Sequence, residues 1–333
     1  MKKPFFLAPM AELSHRALRE LIENFGGCDE YFSEMISAGA LFAGGPFEKW
    51  YIDAAPNPEK CVFQLVGADS DAICKAAAFL DKLDCAGIDI NMGCSAPLIR
   101  KTGAGVAWMT SIDRAGSLIS QIRPHIKRRL SVKLRIGYKD DFEYLVRFCR
   151  RLEEEGVELI TLHPRTAMEK FKRTARWDYV GNLRQELKIP VAGNGDIGSA
   201  EDIVRRAGGP CDAVMVGRAA VRHPWIFAQA RRGEEGEKIS PQISADLRGG
   251  FGEGVQSEKT ESFTVPDIEE VGVRFLELLA KHQPPEFHIS RARRFFGFFC
   301  DNLKWGNFLK NQLNKEETLS GVERVWREFF KAM

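Results

Sequence analysis

The chain has 333 residues, of which 44% are hydrophobic and 28% charged, and it carries a net charge of +2 at pH 7. These values describe a soluble globule with ample core, longer than one average domain, and the near-neutral balance excludes a strong global field toward nucleic acid or membrane, so a polyanion must be met by local patches. No stretch approaches the roughly 18 apolar residues that span a bilayer, and the eight cysteines (28, 61, 74, 85, 94, 149, 211 and 300) form no C-x-x-C pair or zinc-ligand cluster.

The elements follow in chain order. The apolar run from Pro4 to Ala8 breaks at Pro9, too short for a secretory leader, so it reads as a first strand. With the scattered free thiols, this leads to the expectation of a cytoplasmic protein, and a monomer is the default. Short β-type runs then recur with helix-length spacers, which predicts strands at about Phe5–Ala8, Tyr31–Glu34, Val62–Val66, Gly87–Ile90, Ser131–Leu134, Leu159–Leu162, Pro190–Ala192 and Ala213–Val216. The spacers have helical periodicity, as from Phe142 to Leu152, or from Ala200 to Ala207 behind the N-cap residue Ser199. Eight such units predict an α/β fold, a closed (β/α)8 TIM barrel over residues 1–232. Residues 233–265 are rich in Gly, Glu, Ser and Lys and read as a polar linker or insertion. From 266 to 333 apolar residues return at helical spacing, including Val271, Phe275, Phe295, Phe299, Val322 and Trp326, and predict a small C-terminal all-α helical domain.

Barrel chemistry gathers where the strands end, and candidate groups stand at the mouth of every predicted strand here. In order they are Pro9-Met10-Ala11, Glu34-Met35, Gln64, Asn91 and Cys94, Lys133 and Arg135, His163 and Arg165, Asn194-Gly195-Asp196, and Gly217-Arg218. Each has an ordinary alternative: cysteine usually behaves as a small hydrophobe, and Asn-Gly-Asp is a common turn. Polar or ionisable side chains at seven of these eight positions are harder to explain by packing. The glycine-rich turn after strand seven and Gly217-Arg218 after strand eight are arranged as in barrels that bind phosphate there. With Lys133 beside them, they suit a flavin mononucleotide (FMN), whose reduced ring is stabilised by a cation. No metal site is expected.

The motifs as a set resemble the dihydrouridine synthases, flavin enzymes that reduce uridine in transfer RNA. The resemblance rests on Ala8-Pro9-Met10-Ala11, Ser33-Glu34-Met35, Gln64, Asp89-Ile90-Asn91-Met92-Gly93-Cys94, Gly103-Ala104-Gly105, Lys133-Leu134-Arg135-Ile136-Gly137, His163-Pro164-Arg165-Thr166, Trp177-Asp178, Asn194-Gly195-Asp196-Ile197 and Gly217-Arg218. It implies that Pro9, Met10, Ala11, Gln64, Lys133, His163, Asn194, Gly195, Asp196, Gly217 and Arg218 hold FMN. It also implies that Cys94 donates a proton, that Asn91 and Arg165 hold the target base or its ribose-phosphate, and that NADPH or NADH is the reductant. One departure is that Ser95-Ala96 separate Cys94 from Pro97, where the family usually has proline next to the cysteine.

Two basic patches are candidates for RNA contact. Arg165, Lys170, Lys172, Arg173 and Arg176 face only Glu169 in their segment; Arg291, Arg293, Arg294, Lys304, Lys310 and Lys315 face Glu286 and Asp301 in theirs. The predicted RNA-contacting set is Asn91, Arg165, Lys170, Lys172, Arg173, Arg176, Arg291, Arg293 and Arg294. Two other readings remain open at this point: a metabolic flavin barrel of the dihydroorotate dehydrogenase type, and an RNA-binding protein without catalysis.

Overall fold

The computed structural model describes residues 2–170, 172–236 and 266–332. Eight parallel strands close into a barrel: β1 (Phe5–Leu7), β2 (Glu30–Ser37), β3 (Cys61–Val66), β4 (Gly87–Met92), β5 (Arg129–Gly137), β6 (Leu159–Thr166), β7 (Val191–Asn194) and β8 (Ala213–Val216), with β8 pairing back onto β1. All eight lie where the sequence predicts them. The strands β2, β4, β5 and β6 run further than expected, because their polar mouth residues continue the ladder and find partners inside the barrel.

Side chains alternate along a strand, and this alternation divides the interior into two levels. At the base Phe6, Phe32, Val62, Leu159, Ala192, Ala213 and Met215 pack into an apolar plug, in which the Phe6 and Phe32 rings lie 5.7 Å apart. Two residues further along the same strands, interior positions become Gln64, Thr161, Asn194 and Gly217, and β4 and β5 contribute Asp89, Asn91, Ser131 and Lys133. The outward positions, such as Ile88, Ile90, Val132, Leu134, Ile160 and Leu162, are buried under the helices. One of these helices, Ala200–Ala207, begins at the predicted cap, where Ser199 and Asp202 form a reciprocal capping box.

Four helices among the described residues build the C-terminal domain: Ile268–His282, Pro285–Phe299, Gly306–Leu313 and Leu319–Lys331. Their core is aromatic, with Phe275 stacked on Phe295 at 3.7 Å and Trp326 against Phe296 at 4.7 Å. The expected linker lies outside the described residues from 237 to 265, while helix Ile226–Glu234 extends through its first two positions. No helix among the described residues is long and apolar enough to cross a membrane.

The helical domain docks on the strand-end rim. Arg291 Nη1 donates to Glu34 Oε2 at 2.8 Å, both residues being almost wholly buried, and Glu34 Oε1 accepts the Glu12 N–H at 2.6 Å. Phe287 packs against Phe47, and Arg222 pairs with Asp301 at 2.7 Å. Burial raises the Glu34 carboxyl against the pull of Arg291, so the pair depends on both members being present. Arg291→Met, which leaves Glu34 buried without its cation, should cost about 3 kcal/mol of stability in a denaturant titration. Adding Glu34→Gln should recover much of that loss.

Candidate active site

The C-terminal ends of the strands enclose a cavity of about 470 Å³, in the range of small-molecule sites. It is bordered by Pro9 and Met10 after β1, Lys133 on β5, His163 and Arg165 on β6, Asn194, Gly195 and Asp196 at the end of β7, and Gly217 and Arg218 after β8. Asn91, Gly93 and Cys94 form the wall at the end of β4, opposite β8 in the ring of strands, and Lys170 reaches in from the loop after β6. Two residues expected at the cofactor are elsewhere. Ala11 is exposed beyond the rim, and Gln64 is wholly buried beneath the cavity, with its carboxamide between Asp89 and Asn91.

Cys94 sits in a turn tied down from both sides. The Asn91 side-chain oxygen accepts the N–H groups of Gly93 at 3.2 Å and Cys94 at 2.9 Å, while the Cys94 carbonyl accepts the Val106 N–H at 3.0 Å. Gly105 has φ +60, and a Cβ there would lie 2.5 Å from the Cys94 carbonyl oxygen, so only glycine lets this segment close on the turn. The thiol is half-buried at the cavity wall; of the other free cysteines only Cys74 is equally accessible.

The polar groups around the rest of the rim have defined orientations. Lys133 Nζ donates to Asn194 Oδ1 at 3.0 Å, and the Asn194 amine donates to the Met215 carbonyl at 2.8 Å, which fixes the amide's direction. Burial, followed by the charge of Arg135, pushes the Lys133 ammonium down to about 8. Arg165 Nη1 lies 2.9 Å from His163 Nε2, and because a guanidinium only donates, that nitrogen must be the unprotonated acceptor. Burial and then the surrounding cations hold the imidazole far below its usual range, so His163 is neutral. Gly195, at φ +117, clears this ring: a Cβ would lie 2.8 Å from His163 Cδ2. Arg165 also donates to Asp196 at 2.5 Å and to the Arg173 carbonyl. Although burial opposes it, hydrogen bonding to Arg165 keeps the Asp196 carboxyl below its ordinary range.

Among the described residues, Lys133, Arg135, Arg165, Lys170 and Arg218 line one cavity together with the carboxylate of Asp196. Such an excess of cations in a partly desolvated site matches an anionic ligand.

The surface patches are smaller than their sequence tally. Lys170, Lys172 and Arg173 are exposed after β6, but Arg176 is engaged by Glu169 at 2.6 Å and Asp140 at 3.1 Å. In the helical domain Arg291 is buried on Glu34 instead of facing solvent, and Arg293 donates to the Glu316 carbonyl at 2.9 Å. Arg294 is exposed on the rim, 3.9 Å from Glu12.

Arg135 was read only as a mouth residue, yet it is part of the site. Its Nε donates to the Gly93 carbonyl at 3.0 Å and its Nη1 to the Lys170 carbonyl at 3.1 Å, joining the thiol turn to the loop after β6. The alternation of Lys133 and Arg135 along one strand was the available signal. Met35 also lines the cavity; its place after Glu34 at the end of a predicted strand was the corresponding hint.

A family model described as dihydrouridine synthase (Dus) matches residues 6–248. A probable tRNA-dihydrouridine synthase of Aquifex aeolicus is 34% identical over 235 residues, covering 68% of this chain and 72% of that protein. One of Rickettsia prowazekii is 30% identical over 250 residues, covering 72% and 75%. A tRNA-dihydrouridine(16) synthase of Neisseria meningitidis serogroup B is 29% identical over 255 residues, covering 74% and 76%. The family match includes every residue that lines the cavity, and the chain belongs to the dihydrouridine synthase family.

Proposed function

We propose that the protein is an FMN-dependent tRNA-dihydrouridine synthase that reduces the C5–C6 double bond of a uridine in transfer RNA, with NADPH as the electron source. The observation that carries this reading is one cavity that has Cys94 at the end of β4, Lys133 and Arg135 on β5, Arg165 on β6, Lys170 after it, and the glycine turns with Arg218 after β7 and β8. The excess of cations fits FMN. Lys133, His163 and Asn194 would hold the ring, and Gly195, Gly217 and Arg218 would hold the phosphate through backbone N–H groups and a guanidinium. Pro9 and Met10 would border it. Asp196 would act by holding Arg165, and Gln64 by holding Asn91.

When bound, FMN supplies a hydride to C6 of the uracil. Cys94 donates its thiol proton to C5, so that two electrons and two hydrogens are added across the bond. Solvent then returns the proton. Asn91 and Arg165 border the space in which the base must lie, and a base in folded RNA has to leave its stack to reach it. Lys170, Lys172, Arg173 and Arg294 compensate through the RNA backbone, with Arg176, Arg291 and Arg293 shaping the same surfaces from within.

Three outcomes test the proposal. Cys94→Ala should retain FMN while dihydrouridine formation on transfer RNA, counted by mass spectrometry, falls by about a hundredfold or more; an unchanged rate would remove Cys94 as the acid. An anionic ligand favours the protonated lysine, so FMN affinity should be level below pH about 8 and decline as Lys133 loses its proton above it. Fluorescence titrations of Lys133→Met should lack that decline. Transfer RNA binding should weaken steeply with added salt, and Lys172→Ala with Arg173→Ala should reduce the log–log slope by about two, whereas Arg176→Ala, already paired internally, should change it little.

A further inference from the structure

Beneath the thiol turn runs a chain of buried polar groups that reaches no ligand wall except through Asn91. Ser131 Oγ donates to Asp89 Oδ1 at 2.6 Å, Gln64 Nε2 donates to Asp89 Oδ2 at 2.7 Å, and Asn91 Nδ2 donates to Gln64 Oε1 at 2.8 Å. Asn91 Oδ1 then accepts the two N–H groups of Gly93 and Cys94. Ser131, Asp89 and Gln64 are wholly buried, and Asn91 is nearly so.

Each link dictates the next. Backbone N–H groups can only donate, so Asn91 must turn its oxygen to them and its amine away. That amine requires the Gln64 oxygen, which sends the Gln64 amine toward β4. A carboxylate, which only accepts, completes the order. Burial raises Asp89 to about 6, so near neutrality it remains the acceptor that the chain requires. Any member of the wrong polarity would set two donors or two lone pairs against each other in a dry interior, which costs more than the bond itself.

We infer that Asp89 is a positioning residue for Cys94: it acts through Gln64 and Asn91, as a polarity relay from the barrel interior that holds the thiol turn in its working shape. The consequence for turnover rests on the proposal that Cys94 is the proton donor; the relay itself does not. Asp89 touches neither the cavity nor Cys94, so its influence must pass through the two carboxamides.

The relay makes a reciprocal demand that a double substitution can test in the full-length protein. Asn91→Asp sets a carboxylate oxygen against Gln64 Oε1 and, if Gln64 turns over, its oxygen against Asp89. Adding Asp89→Asn supplies an N–H at the far end, so the whole chain can run in the reversed sense while the Gly93 and Cys94 N–H groups keep an acceptor. Asp89→Asn alone can still offer its oxygen to Gln64 and its amine to Ser131.

The readouts are Tm and the rate at which iodoacetamide alkylates Cys94, resolved by mass spectrometry. N91D is expected to lower Tm by about 5 °C and to change the Cys94 rate several-fold, while D89N moves both little. The double variant is expected to recover most of the Tm and the parental rate. Asp89→Ala in place of D89N removes the charge without providing an N–H and should not rescue. If N91D alone fails to fold, folding of the double variant alone counts as rescue. Additive losses in the double variant, equal rescue by Asp89→Ala, or an N91D protein with the parental Cys94 rate would overturn the relay. None of these readouts requires turnover, so their failure is separate from failure of the proposed function.

Discussion

Among the described residues, five cationic side chains and one carboxylate line the cavity at the mouth of a closed barrel, and much of the site's electrostatics follows from their proximity. In water the charges would repel weakly; at the partly desolvated strand ends each raises the cost of the others. Burial first and these cations second keep His163 neutral, so that it accepts from Arg165, and hold Lys133 near 8, while Arg165 takes Asp196 as its counter-ion. The barrel tolerates the arrangement because its apolar plug and its outer shell of helices supply the stability. The upper interior positions are then free to carry polar groups that pack poorly but orient one another.

The helical domain belongs to the same architecture. Its main buried ionic contact with the barrel is Arg291 on Glu34, a group that follows the barrel rule for functional positions yet serves docking. Because Glu34 also accepts the Glu12 N–H just beyond β1, the contact fixes the rim next to Pro9 and Met10 as well as the domain itself. Arg294, one helical position beyond Arg293, is left facing outward on that rim. A base drawn out of an RNA stack would meet cations after β6 on one side and Arg294 on another, an arrangement that a small-metabolite barrel has no need of.

Much of this was legible in the sequence, and the parts that were not have a common cause. Strand order, the thiol at the end of β4 and the paired glycine turns follow from local signals: β-type runs, turn residues and residue spacing. The cap at Ser199 was readable for the same reason. The partners of Gln64, Arg176 and Arg291 were not legible, because a side chain's polarity does not tell which group takes it. Gln64 is held by Asp89 on the neighbouring strand, Arg176 by Glu169 and Asp140, and Arg291 by Glu34, 257 positions away. A charge tally along a segment counts both arginines as free, and only the tertiary fold shows that they are already paired. β4 likewise runs past its predicted end at Ile90 because Asn91 pairs with Lys133, and Met92 with Leu134, on the neighbouring strand.

The proposed function requires the cation-rich mouth to hold an anion-bearing flavin. It is tested most directly by comparing the affinities of FMN and riboflavin, which share a ring and differ by the phosphate, for the flavin-stripped protein by calorimetry. The account predicts FMN tighter by at least about a hundredfold, close to 2.7 kcal/mol. Equal affinities, or no binding of either, would contradict it.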